Sequence, residues 1–91
     1  GEWVDKLLAE HAAGDVPEAI ALVPARTDTD WFRKFRDHPV CFVDGRLRFS
    51  GKDPAPFPSA LVYLGKNIRK FAHAFVDTGD VWVRWREDEP A

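Results

Sequence analysis

The chain has one cysteine, one tyrosine and no methionine, and none of its apolar runs is long. A helix that crosses a bilayer needs about 20 apolar residues, and no secretory signal pattern is present. No membrane association is therefore expected. A lone cysteine excludes an intrachain disulfide, which fits a reducing, cytoplasmic setting. Cys41 stands in the apolar run Val40-Cys41-Phe42-Val43, where a thiol reads as a small buried hydrophobe. His11, His38 and His73 are scattered, and no Cys/His cluster has zinc spacing, so no metal site is expected. Charge of neither sign dominates: 13 Lys and Arg stand against 15 Asp and Glu, for a net −2. There is no global basic field to draw nucleic acid, so any DNA contact must come from a local cluster.

What is present suits a small soluble domain. The 91 residues bound the chain to one domain, residues 1–91. A chain of this size buries only about 60–65% of its unfolded surface. With 45% hydrophobic and 31% charged residues, the composition is ordinary. Four Trp and seven Phe supply large rings that fill a small core efficiently. The start Gly-Glu-Trp falls inside a helical pattern, as expected of a piece of a longer protein.

Apolar periodicity orders the chain. Trp3, Val4, Leu7, Leu8 and Ala12 follow helical spacing over 3–12, and Gly14 marks its end. Residues 19–25 form a continuous apolar run, which predicts a central strand covered on both faces and ending at Pro24. Trp31, Phe32 and Phe35 predict a helix over 28–37, capped by Thr27 or Asp28 and left at Pro39. A strand over 40–43 meets Asp44-Gly45, followed by the alternating Arg46-Leu47-Arg48-Phe49. This signals a hairpin, or else a strand leading into an ordered loop. Three prolines between 54 and 58 make 50–59 a stiff, extended loop. Residues 60–64 predict a third buried strand, antiparallel to its predecessor because the connection is too short for a helical crossover. Asn67 is expected to cap a helix over 68–77 that ends at Gly79. A final edge strand is expected over 81–86, with a frayed tail after it. The fold class is thus α/β with helices on both faces of a mixed sheet, in the order α-β-α-β-(β)-β-α-β.

Three blocks carry a resemblance. Val23-Pro24-Ala25-Arg26-Thr27-Asp28-Thr29-Asp30-Trp31-Phe32, Gly45-Arg46-Leu47-Arg48-Phe49 and Ala55-Pro56-Phe57-Pro58-Ser59-Ala60-Leu61-Val62-Tyr63-Leu64-Gly65 resemble successive blocks of the phage-encoded DNA N6-adenine methyltransferases. The match covers residues 1 to about 65 and the remainder more loosely. It implies half of a Rossmann-like methyltransferase sheet. In the complete family enzyme a Gly-rich loop holds S-adenosylmethionine, and an Asp/Asn-Pro-Pro-Tyr/Phe motif grips the target amine. Neither motif occurs in this chain. Residues 2–12 would match the helix after the Pro-Pro motif. The resemblance therefore implies a C-terminal portion that holds no cofactor and is not catalytically competent alone.

The candidate DNA- and base-binding residues are Arg26, Thr27, Asp28, Arg46, Arg48, Phe57 and Ser59, with no catalytic residue assigned. Arg26, Thr27 and Asp28 lie where a strand hands over to a helix, the end of an α/β sheet at which ligands bind. A plain helix cap is the competing reading. Arg46 and Arg48 share one face near Lys52 and offer phosphate contacts, or else are two solvated arginines on an exposed strand. Phe57 offers a ring for stacking on a base, or else plugs the core edge. Ser59 offers a hydroxyl. Trp82 and Trp85 with Arg84 and Arg86 form an aromatic-basic ending that offers contacts to nucleic acid or to another chain, or else is a final strand with half-buried Trp. Expected partners are DNA in the complete enzyme and a second copy through an exposed sheet edge. A host protein is the partner on the alternative reading of a small phage binding module that inhibits a host defence protein. Glu87-Asp88-Glu89 would then be part of its surface.

Overall fold

The computed structural model describes residues 2–48 and 53–87. Its elements are α1 (Glu2–Ala12), β1 (Ala19–Pro24), α2 (Asp30–Arg33), β2 (Val40–Val43), β3 (Ser59–Leu64), α3 (Ile68–Phe75) and β4 (Gly79–Trp82). Phe49, Lys52 and the tail beyond Glu87 lie outside the described residues.

The four strands form one sheet in the order β1-β3-β2-β4, and all three neighbouring pairs are antiparallel. This corrects the expected mixed sheet. β1 and β2 do run in the same direction, because each is antiparallel to β3. The chain passes from β1 through α2 to β2 as a crossover, and β3 then fills the gap between them. Among the described residues no two parallel strands are left adjacent.

Alternation along the strands divides the side chains between two faces. On one face Val23, Val40, Ala60, Val62 and Leu64 pack with Val4 of α1 and with Phe32 and Phe35 of the α2 region. Trp3 meets Trp31 and Phe35 at ring separations of 6.4 and 6.2 Å. Lys34 reaches Asp5 across 2.7 Å, so α1 and α2 cover that face together. On the other face Cys41 and Tyr63 pack under Phe71 of α3. Helices thus lie on both faces, as expected. Cys41 is fully buried, and burial, with the charges of Asp44 and Asp80, pushes its thiol pKa up.

Several expectations are corrected. β1 is an edge strand rather than a central one, and Ile20 and Leu22 on its second face are about half exposed. The helix predicted over 28–37 is short, because after Arg33 the chain tightens into turns bonded three residues apart (Phe35 to Phe32, Arg36 to Arg33, His38 to Phe35). Pro39 disfavours helical geometry at His38 and forces this exit. The cap is Thr29, whose hydroxyl accepts from the Phe32 N–H, and not Thr27 or Asp28. The Asp44-Gly45 hairpin does not form. β3 and β4 already occupy both edges of β2, so 46–48 has no edge to pair with. Gly45 takes φ +67° to turn the chain away, and the Asp44 N–H bonds the Thr78 carbonyl. Asn67 holds the cap position of α3 without a side-chain capping bond. Gly79 does not end α3 but opens β4, where a Cβ would run into the Phe42 carbonyl. The final strand is accordingly shifted to Gly79–Trp82, at the edge as expected.

Candidate functional site

The carboxyl end of β1 lies beside the start of β3, because Pro24 pairs with Ser59. The ladder continues one step further: the Ala25 N–H donates to the Pro58 carbonyl at 2.7 Å. Pro58 is thereby held against β1, and the stiff run Ala55-Pro56-Phe57-Pro58 arches over that end of the sheet. Arg26 follows at once. Its N–H turns back to the Pro24 carbonyl at 2.8 Å, and its guanidinium lies 4.6 Å from the centre of the Phe57 ring. At an exposed site such a cation–ring contact is worth about 0.5–1 kcal/mol. Asp28 stands 3.5 Å from the Arg26 Nε and helps hold the guanidinium over the ring. The Arg26 carbonyl accepts from the Thr29 hydroxyl at 2.6 Å, which ties the segment to the first turn of α2.

The second basic residue joins from another part of the chain. Arg46 donates to the Pro56 carbonyl at 3.0 Å, and the Ala55 N–H donates to the Leu47 carbonyl at 2.7 Å. The segment after β2 is thus stitched to the proline-rich arch. Beneath the arch lies a shallow apolar cleft of about 200 Å³, lined by Leu22, Pro24, Ala55, Pro56, Phe57 and Ser59. Pockets for whole small molecules span roughly 300–1,000 Å³, so this cleft suits a flat ring better than a complete cofactor.

Of the expected residues, the structure brings together Arg26, Asp28, Arg46, Phe57 and Ser59. Phe57 is 42% exposed and so is a surface ring rather than a plug for the core. Ser59 is buried at the cleft floor. Arg48 is exposed two residues beyond Arg46, with no ion pair to a described residue. Thr27 is exposed and belongs instead to a groove beside α2 with Phe32, Arg33 and Phe35.

Comparison of the chain with protein-family models, curated proteins and solved structures finds no match. The site is therefore read from its own geometry. Among the described residues no group of three or more His, Cys, Asp or Glu side chains is placed to hold a metal. Nor is any helix among them long and apolar enough to cross a membrane.

The sequence reading missed three features. The carbonyls of Ala55 and Pro56 act as anchors for Arg46, and a backbone acceptor leaves no trace in residue type. The half-exposed Leu22, in the floor of the cleft, was hidden in a run read as fully buried. At the opposite end of the sheet the Tyr63 hydroxyl donates to Glu18 at 2.6 Å and accepts from the Asn67 N–H at 2.9 Å. The chain's only tyrosine, in a buried apolar strand, was the available signal, since a buried hydroxyl needs partners.

Proposed function

We propose that the chain is the C-terminal part of an S-adenosylmethionine-dependent DNA N6-adenine methyltransferase, and that the corner at the end of β1 is its DNA-facing surface. One observation supports the reading above all. The three blocks that carry the family resemblance are separate in sequence, yet they meet at this corner through the Arg26–Phe57 contact, the Ala25–Pro58 bond and the Arg46–Pro56 bond.

The chemistry fits each residue to a role. Arg46 and Arg48 offer positive charge to phosphates, which sets register without reading sequence. A base turned out of its stack needs a flat wall, and Phe57 backed by the Arg26 guanidinium is one. Asp28 does not contact phosphate on this reading; it orients Arg26. Ser59 supplies a hydroxyl at the floor of the cleft. Methyl transfer also needs a donor in line with the amine and a polar acceptor at the amine. The Gly-rich loop and the Asp/Asn-Pro-Pro-Tyr/Phe motif that meet these needs in the family are not in this sequence. The chain alone therefore binds DNA weakly and transfers no methyl group.

Calorimetry and fluorescence anisotropy test the two halves of this claim. Titration of S-adenosylmethionine should give no heat, whereas a labelled DNA duplex at low salt should bind. Replacing both Arg46 and Arg48 by Ala should weaken DNA binding and lower its salt slope by about 2. Micromolar binding of S-adenosylmethionine, or DNA binding indifferent to both substitutions, would contradict the proposal.

A second reading, a protein-binding module, draws on the side chains of Trp82, Val83 and Trp85, each about 60% exposed. Exposed apolar groups gathered in one stretch often mark an interaction surface.

A further inference from the structure

Main-chain geometry leaves one edge of the sheet open. The Ala25 N–H points inward to Pro58, and Ala19 to Pro24 pair in register with Leu64 to Ser59. Antiparallel alternation then turns the N–H and C=O groups of Ala19, Ala21 and Val23 towards β3. Those of Ile20 and Leu22 point outward, where no strand meets them among the described residues, while the Pro24 carbonyl is taken by the Arg26 N–H. Open edges are usually guarded by charge, a bulge or proline. β1 has no charged residue over 19–24, and its only guard is Pro24 at the end. Ile20 and Leu22 are 49% and 50% exposed. The opposite edge differs: β4 carries Asp80, and Arg84 just beyond it is held by Asp37 at 2.7 Å.

We propose that two copies of this chain pair antiparallel through β1, about a two-fold axis at Ala21. Pro24 constrains the register. With Ala21 opposite Ala21, Ile20 of each copy faces Leu22 of the other, and both pairs are fully bonded. Pro24 then falls beyond these pairs, opposite Glu18, where its missing N–H leaves no gap between bonded residues. A two-fold axis at Leu22 would instead set Pro24 against Ile20 and lose a bond at each end. Small alanines suit the centre, because a non-hydrogen-bonded pair brings side chains closest. Ile20 and Leu22 of both copies join into one apolar strip on the second face, and no charge along 19–24 opposes the approach. An isologous contact of this kind closes on itself as a dimer.

The inference goes beyond the methyltransferase reading and has its own readouts, although Leu22 and Pro24 also line the cleft at that corner. A strand from a donor-binding half would compete for the same edge. Sedimentation of the 91-residue chain should show the 10.4 kDa species giving way to its dimer as concentration rises. Amide exchange should show Ala21 and Val23 protected throughout, with Ile20 and Leu22 gaining protection only as the dimer forms. Leu22→Lys leaves the inward bonds intact and sets a charge in the strip, so it should give a monomer with Val23 still protected. A chain that stays monomeric, or a dimer in which the Ile20 and Leu22 amides remain unprotected, would overturn the proposal.

Discussion

At the residue scale, Tyr63 carries more than its ring. It is 2% exposed and stacks on Phe71 at 5.0 Å, while its hydroxyl joins Glu18 to the start of α3. Tyr63→Phe keeps the ring and leaves the Asn67 N–H without its acceptor. Urea unfolding should show a loss of about 1–3 kcal/mol. Phe35 is fully buried between the two helices of the first face, and Phe35→Ala should cost about 3–5 kcal/mol in the same assay. His38 supplies a pH dependence. Burial lowers its pKa from 6.5, the neighbouring His11 and Arg86 act the same way, and Asp37 opposes them. The rings of His11 and His38 are 5.9 Å apart. Because the folded value lies below the unfolded one, the unfolded chain takes up a proton that the fold resists. Stability from this group is therefore unchanged above about pH 6.5 and falls as pH drops below it. His38→Gln should flatten that slope in thermal unfolding scans.

At the element scale, strands were more legible than their neighbours. The runs 19–25, 40–43 and 60–64 are strands within one residue at each end, because short continuous apolar runs bounded by Pro and Gly leave little choice. Their placement was less legible. The run 19–25 is apolar throughout, which reads as central, yet half of its side chains meet solvent at an edge. The Asp-Gly signal at 44–45 is a valid local turn, but a hairpin needs a free edge, and distant residues 79–82 had taken it. Gly79 shows the same dependence. It reads as a helix stop, but it is required where β4 crosses close to the Phe42 backbone. Gly79→Ala should detach β4, visible as faster amide exchange at Asp80 and Trp82, whose N–H groups face β2, while Leu61 and Val62 stay protected.

At the scale of the whole molecule, the sheet order explains why the site was only partly legible. Arg26, Arg46 and Phe57 could be named from their blocks, since each is a charged or aromatic residue in a turn-rich setting. Their meeting could not be derived, because it depends on β3 slotting between β1 and β2 and carrying the arch back over β1. Insertion of β3 brings separate segments to one end of the sheet, and it leaves β1 with an outer edge that no strand covers among the described residues. The cations on α1, α2 and the segment after β4 are mostly engaged with carboxylates, as in Lys6–Glu10, Lys34–Asp5 and Arg84–Asp37. Arg46 instead holds only backbone carbonyls and keeps its charge available.

Titration of a short DNA duplex into the isotopically labelled chain at low salt, followed by NMR, tests the proposed DNA-facing corner most directly. The account predicts shifts concentrated in residues 25–29, 46–48 and 55–59, fading as salt is raised. Shifts confined to α3 or to the Trp82–Trp85 stretch, with that corner silent, would contradict it.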